Sequence, residues 1–340
     1  MDNFDMILDN VENKVVFESL LKTKEKLSQY NNISCSVSGG ADSDIMLDLF
    51  EKCKPDGKKI NYVWFDTGLE YQATKDHIKW LEEEYDIEIE KCKPVKPIPI
   101  AVKEYGVPFL SKHVSEMISR LQKYNFKWED KPYDALVKEY PKCKCALKWW
   151  CDHKDFERFN ISRNKYLKEF ILHNPPTFKI SNKCCHYAKK DIGKKYNKSH
   201  EIDLNCVGVR KSEGGVRATA YKSCFSTNQD KHDDFRPIFW YSNSDKEYYE
   251  NHFSVEHSEC YTVYGMKRTG CCGCPYGRDF EKELEIIQKY EPKLYKACIN
   301  IFSQAYEYTR KYREFVKEMK AKEKVSKLNA TDIHKGDVKK

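Results

Sequence analysis

Six consecutive residues, Ser38-Gly39-Gly40-Ala41-Asp42-Ser43, carry the groups that an anion site needs. The apolar run from Ile33 to Val37 reads as a short buried strand, and the spacing from Asp42 onward predicts an amphipathic helix. A strand feeding a Ser-Gly-Gly turn into a helix aims backbone N–H groups and the positive end of the helix dipole at one point. Such a point suits phosphate. Gly39 and Gly40 permit positive φ and let a phosphate approach the backbone, while Ser36, Ser38 and Ser43 add hydroxyls. Asp42 can cap the helix, and can equally hold a water on Mg2+ or a substrate amine. The plain alternative is a capped strand–helix turn with no ligand.

The second concentration of chemistry is sulfur. Of fifteen cysteines, Cys184 and Cys185 are adjacent, and Cys271, Cys272 and Cys274 share a glycine-rich segment downstream. A Cys-Cys pair and a Cys-x-x-Cys pair offer four thiolates, Cys184, Cys185, Cys271 and Cys274. Four thiolates suit a [4Fe–4S] cluster or a tetrahedral zinc. Zinc sites prefer ligand spacers of about two to four residues, so the adjacent pair favours the cluster. Cys272 replaces Cys271 only by shortening the chelate to Cys-x-Cys. Lys267 and Arg268 nearby supply positive charge to balance a cluster or face a bound anion. Cys143, Cys145 and Cys151, with His153, form a weaker metal candidate. The remaining seven cysteines read as small hydrophobes.

These residues need a scaffold, and the sequence supplies an α/β one. Ile60 to Phe65 form a second strand ending at Asp66-Thr67-Gly68, Ala73 to Tyr85 a helix, Ile87 to Pro94 a third strand, and Leu204 to Val209 a further core strand. Strands alternating with helices indicate βαβ units in a parallel twisted sheet flanked by helices, with a helical, cysteine-bearing C-terminal part. The expected organisation is a nucleotide-binding domain over 1–245 with a helical insertion at about 94–200, a helical region over 246–322 that completes the sulfur site, and a flexible tail over 323–340. With 40% apolar and 14% aromatic residues in 340, wholesale disorder is excluded. No apolar stretch approaches the length of a membrane span, and the acidic opening segment lacks the order of a signal peptide. A soluble, cytoplasmic protein with no membrane partner is expected. The net charge of +7 comes mostly from lysine; it supports a nucleic-acid partner only weakly and fits a small anionic substrate as well.

The full Ser-Gly-Gly-x-Asp-Ser string in its strand–turn–helix setting resembles the PP-loop nucleotide enzymes, whose fold is called adenine nucleotide alpha-hydrolase-like. Within them the chain is most similar to the phosphoadenosine phosphosulfate (PAPS) reductase family, phage or mobile-element members included. The stretch from Phe65 to Thr74 resembles the family's adenosine-side segment, which makes Asp66 to Glu70 adenosine-side candidates, and Gly208-Val209-Arg210 onward resembles its Gly-x-Arg segment, ending in Arg217. The resemblance, over roughly residues 30 to 280, implies an ATP or PAPS-like adenine nucleotide, with Asp42, Ser43 and Arg210 catalytic. Ser36, Ser38, Gly39, Gly40, Asp66, Thr67, Gly68, Arg217 and Arg268 would contact the nucleotide. The cysteine pattern is similar to that of adenylyl-sulfate reductases, whose members carry [4Fe–4S]. The segment after Cys143 is similar to a Cys-x-x-Leu-Lys stretch that is not a cluster ligand. Two departures matter. No cysteine follows Cys298, whereas sulfonucleotide reductases use a late nucleophilic cysteine, and the intact loop is typical of ATP pyrophosphatases, with Ala41 where lysine is frequent. The expectation is sulfur metabolism or transfer with a sulfur- or electron-donor protein as partner; the alternatives are adenylation of a nucleic-acid or small-molecule acceptor, and a non-catalytic regulator.

Overall fold

The computed structural model describes residues 3–214, 219–228 and 231–336. They gather into two compact units, each built from three stretches of chain. One comprises Met1–Ile98, Cys185–Cys272 and Lys282–Tyr295; the other comprises Pro99–Cys184, Gly273–Glu281 and Lys296–Lys340.

The first unit holds a six-stranded sheet. Its strands are β1 (Ile33–Ser36), β2 (Asn61–Phe65), β3 (Ile89–Cys92), β4 (Leu204–Val207), β5 (Phe225–Ser226) and β6 (Asp233–Phe235), in the order β3-β2-β1-β4-β6-β5. All neighbours are parallel except the edge strand β5, so the α/β architecture expected from the strand–helix alternation is the one observed. Strands β5 and β6 were not expected, because Asp233-Asp234-Phe235 shows no apolar alternation. Polar bonds help to fix β6, where Asp233 N–H donates to Asp203 O at 2.8 Å and Asn205 Nδ2 donates to Asp234 Oδ1 at 2.8 Å, and β5 pairs with β6 through Phe225 and Ser226.

Three helices frame the sheet's working edge: α1 (Lys14–Gln29), α2 (Ala41–Cys53) and α3 (Gln72–Tyr85). The side chain of Asn13 caps α1, accepting from the amides of Val15 and Val16. Val16, Leu20, Ile33, Ile45, Leu49, Phe50, Leu204 and Phe235 pack into one core, together with Cys35, Cys53 and Cys206. Burial pushes the thiols of Cys35 and Cys206 well above their ordinary range, as expected of cysteines that act as small hydrophobes.

Helix α2 differs from the amphipathic helix predicted, because its polar stripe is covered too. Asp44 and Asp48 are both buried. Their carboxylates are held by partners: Asp48 accepts from Lys52 Nζ (2.5 Å), Tyr249 OH (2.7 Å) and Tyr85 OH (3.0 Å). Buried carboxylates persist only with such compensation.

The second unit is helical. Lys112–Lys123, Tyr133–Glu139, Lys144–Trp150, Leu167–His173 and the portion of helix Pro292–Gly336 from Lys296 on surround Phe109, Trp149, Trp150, Phe170, Tyr308 and Tyr312. The last helix continues to Gly336, through much of the segment expected to be a tail; its lysines, glutamates and alanines are good helix formers. The thiols of Cys143 and Cys151 each turn to a different carbonyl, Arg120 O (3.7 Å) and Lys131 O (3.8 Å).

Gly208, just past β4, fixes the distance between that strand and α2. A Cβ there would stand 2.8 Å from Asp42 O and 3.1 Å from Asp42 C, both rigid backbone atoms. Gly208→Ala is therefore expected to lower the urea midpoint by an amount equivalent to about 1–3 kcal/mol, the usual cost of overpacking. An unchanged midpoint would show that β4 and α2 can separate freely.

Candidate functional site

The turn between β1 and α2 closes on itself through one hydroxyl. Ser43 Oγ accepts from the amides of Ser38 (3.1 Å) and Gly40 (3.2 Å), and donates to Gly40 O (2.7 Å). Ser38 Oγ joins it at 3.0 Å. Gly39 takes φ +65°, and a Cβ on it would stand 2.7 Å from Thr74 Cγ2 of α3, so the loop lies directly on that helix. The amide of Ala41, at the start of α2, donates to Tyr261 OH (3.1 Å), and that hydroxyl lies 3.0 Å from Thr269 Oγ1. Burial raises the Tyr261 phenol above its ordinary range, so it stays a neutral hydroxyl. Ser36 is the last residue of β1, in register with Val63 and Val207.

Arg210 is brought to the mouth of this loop. It is buried, and its Nε donates to Asp42 Oδ1 at 2.9 Å, while Nη1 donates to Ser212 Oγ (3.0 Å), Asn243 Oδ1 (3.1 Å) and Ser242 O (3.4 Å). Helix α4 (Asn243–Phe253), capped by Ser242, supplies Lys246, 3.4 Å from both Asp42 and Glu250. Beyond it, His257 bridges two carboxylates: Nδ1 to Asp44 Oδ2 at 2.9 Å and Nε2 to Glu250 Oε1 at 2.6 Å. His77 Nε2 lies 3.1 Å from the same Asp44 oxygen. Burial works against a charged His257, but the bonds to Asp44 and Glu250 outweigh it and hold the ring charged up to about 9.

A second group gathers at the carboxyl ends of β2 and β3. Asp66 Oδ1 accepts from Gly68 N–H (2.9 Å), and Oδ2 pairs with Lys91 (3.1 Å). Thr67 donates its hydroxyl to Glu70 Oε1 at 2.5 Å. Gly68 has φ +80°, and a Cβ would stand 2.7 Å from Pro97 Cβ. Burial raises the Glu70 carboxyl, with Lys189 and Thr67 pulling the other way. Lys189 follows Cys185 by four residues, in a π-helical turn over His186–Asp191. Protein around its ammonium disfavours the charge, yet Cys271, Glu70 and Cys185 together raise its pKa. Burial likewise pushes the Cys271 thiol up while Lys189 pulls it down, and Thr67 bonds to it. Lys189 thus stands between two cysteines and a carboxyl.

The candidate residues therefore fall into distinct places. Ser38 to Ser43 and Arg210 come together; Asp66, Thr67 and Gly68 join Glu70, Lys189, Cys185 and Cys271. Cys272 is fully buried, its amide donates to Leu69 O (3.0 Å), and its thiol lies against Tyr71 rather than Lys189. Cys184 and Cys274 belong to the helical unit, buried and half-buried respectively. Arg268 is exposed, with no hydrogen bond or ion pair among the described residues. Arg217 lies outside the described residues. Among the described residues no group of three or more His, Cys, Asp or Glu side chains is arranged to hold a metal ion, and no helix is long and apolar enough to cross a membrane. Sequence reasoning missed Lys189, Lys246, His257 and Tyr261. Lys189 carried a signal in its place one helical turn beyond the Cys-Cys pair, and Lys246 in the stretch from Phe235 to Tyr249, which resembles the family's arginine–proline segment before a helix start.

The Phosphoadenosine phosphosulfate reductase domain model matches residues 32–276. An uncharacterized protein of Methanocaldococcus jannaschii is 25% identical over 298 residues, which are 88% of this chain; the match spans 46% of that protein, so the chain covers about half its length. Among solved structures, a PAPS reductase of Candida auris in a phosphate complex is similar with a TM-score of 0.41 at 12% identity, over 79% of this chain and 93% of that one. The U34-tRNA thiolase NcsA of Methanococcus maripaludis, solved with its [4Fe–4S] cluster, gives 0.37 at 14% identity, over 88% and 79%. The NH3-dependent NAD synthetase of Campylobacter jejuni gives 0.36 at 13%, over 87% and 95%.

His257 ties stability to pH. Its pKa is raised above the ordinary 6.5, so its contribution is fully present below about 6.5 and is lost as pH rises through about 9. The urea midpoint is expected to fall across that window by an equivalent of at most about 3 kcal/mol, and His257→Gln is expected to flatten the fall. An equally steep fall in the variant would assign the dependence to another group.

Proposed function

The chain belongs to the Phosphoadenosine phosphosulfate reductase domain family, and from that membership we propose that it is an enzyme of sulfur transfer that binds an adenine nucleotide at Ser38–Ser43. The observation that carries the reading is the loop at the start of α2, with its amides gathered on Ser43 Oγ and Arg210 held at its mouth by Asp42. A phosphate there replaces hydroxyl acceptors with a charged one, the stronger partner for backbone donors and for guanidinium. Asp42, which also pairs with Lys246, then sets the orientation of Arg210, and Arg210 offsets negative charge that develops on the phosphates. Asp66, Thr67 and Gly68, at the end of the neighbouring strand β2, border the nucleoside, in keeping with ligand placement at the carboxyl edge of open sheets.

The thiols fit an iron–sulfur cluster in their donor chemistry. Burial holds the Cys271 thiol above its ordinary range and Lys189 opposes that shift; the same ammonium would offset negative charge on a thiolate-bound cluster. The ligand set proposed is Cys184, Cys185, Cys271 and Cys274, with Cys272 as a packing residue. Held by these cysteines, a [4Fe–4S] cluster would supply electrons or a sulfur-binding iron. A second reading, ATP-dependent adenylation of an acceptor followed by sulfur insertion, is favoured by the intact Ser-Gly-Gly-x-Asp-Ser string.

Calorimetric titration with ATP and with PAPS tests the nucleotide reading. One of the two is expected to bind, and Ser43→Ala is expected to weaken it by about 10-fold or more, since one hydroxyl organises two loop amides. If neither nucleotide binds, the reading fails. Sulfite from PAPS with a thiol donor would identify a reductase, pyrophosphate from ATP an adenylating enzyme, and tight binding without turnover of either would replace the enzyme by a regulator. Iron and acid-labile sulfide measured on anaerobically prepared protein test the cluster. Cys271→Ser is expected to lose both and Cys272→Ser to retain them; zinc in their place would overturn the assignment.

A further inference from the structure

We propose that the helical unit carries a nucleic-acid binding surface, made by exposed lysines at the C-terminal end of helix Lys112–Lys123. The inference does not rest on the nucleotide reading, because the surface lies wholly within the helical unit.

The two units divide the charge of the chain unequally. The three stretches of the helical unit contain 30 Lys and Arg against 18 Asp and Glu, a net charge of +12. The stretches of the sheet unit contain 30 against 35, a net charge of −5. The modest +7 of the whole chain is thus the remainder of an acidic unit and a strongly basic one. Charge of that size and sign, confined to one unit, is the electrostatic footprint of a polyanion partner.

Hydrogen bonds within the unit bring part of this charge to one place. The thiol of Cys143 lies on Arg120 O (3.7 Å), which sets Lys142 and Lys144 beside the last turn of helix Lys112–Lys123. The side chain of Gln122 holds the segment around Lys179 from both sides, donating to Phe178 O (2.7 Å) and accepting from Ile180 N–H (2.9 Å). Phe126 N–H folds back to Leu121 O (3.2 Å), which places Lys127 at the same end. Lys123, Lys127, Lys142, Lys144 and Lys179 are all exposed, and among the described residues none forms an ion pair with a carboxylate. Lysines elsewhere in the unit do: Lys131 pairs with Glu129 and Glu139, Lys148 with Asp155, Lys165 with Glu323 and Lys168 with Asp130. The cluster is therefore uncompensated although carboxylates are at hand. The helix C-terminus favours the cations of its last turn by only about 0.3–1 kcal/mol each, and mutual repulsion opposes their gathering.

A phosphodiester backbone suits this arrangement, since it presents closely spaced single charges to compact ammonium groups and requires no cavity. A membrane surface fits less well. Peripheral membrane sites pair basic residues with apolar side chains that insert, whereas exposed Phe159 contacts His113 at the opposite end of the helix.

Fluorescence anisotropy with the full chain, titrated into a labelled oligonucleotide of about 30 residues, tests the proposal. Single-stranded DNA, RNA of the same sequence and duplex DNA serve as probes at about 50 to 200 mM KCl. Binding to at least one is expected, with log K falling against log salt at a slope of about −3 to −5 for five lysine contacts. The triple variant Lys123→Gln/Lys142→Gln/Lys144→Gln should reduce the steepness by about 2 to 3 and weaken binding about 10-fold or more at low salt. Lys131→Gln, in a compensated pair, should leave both nearly unchanged, and ATP or PAPS titrations of the triple variant should match those of the parent. Absence of binding to all three probes at the lowest salt would overturn the proposal. So would equal binding by the triple variant, equal loss in Lys131→Gln, or capture by phosphatidylserine-containing vesicles but not by oligonucleotide.

Discussion

The close approach of two backbones at Gly208 is the constraint on which the site depends. Because no side chain separates the end of β4 from the first turn of α2, Arg210, two residues on, reaches Asp42 from the side. The same arginine extends to Ser242 and Asn243, and so fixes where α4 begins. Once α4 is set, Lys246 and Glu250 face the loop, and Tyr249 reaches the buried Asp48. One missing methyl group thus determines the placement of a strand, two helices and the charged groups between them. Gly39 performs the same service on the opposite side, letting the loop rest on Thr74 of α3.

The electrostatics follow from that packing. The first turn of α2 carries Asp42 and Asp44, and acidic residues there complement the helix dipole. In this fold both are also deep enough to need partners, so Arg210, Lys246 and His257 are arranged around them in alternating sign. Removing one partner leaves a carboxylate desolvated and unpaired, which costs more than the pair itself contributes. A network of this kind gives the loop a defined shape before any ligand arrives, and preorganisation is what electrostatic stabilisation of a reacting phosphate requires.

The parts of this architecture that are contiguous in sequence were legible in advance. The loop Ser38–Ser43, the strand before it and the helix after it each announce themselves within a dozen residues, by an apolar run broken at glycine. Asp66 to Gly68 were legible for the same reason. Lys246, His257 and Tyr261 were not, because each acts on α2 from more than 200 residues away in the sequence. Strands β5 and β6 escaped because they are only two and three residues long and show no apolar alternation. The burial of Asp44 and Asp48 escaped as well: a helical wheel records a polar stripe but not what will cover it.

The interleaving of the two units has a consequence for synthesis. On a ribosome the chain emerges at about 5 to 20 residues per second. Strands β1, β2 and β3 appear early, yet β1 is bordered on its other side by β4, which begins at Leu204. The whole stretch Pro99–Cys184 must appear first. For several seconds, therefore, β1 presents an unpaired parallel edge, the kind of edge on which nascent sheets aggregate. Early compaction of Pro99–Cys184 around its own tryptophans would shorten the search by which β4 finds that edge, so the inserted helices help to set how reliably the sheet is completed.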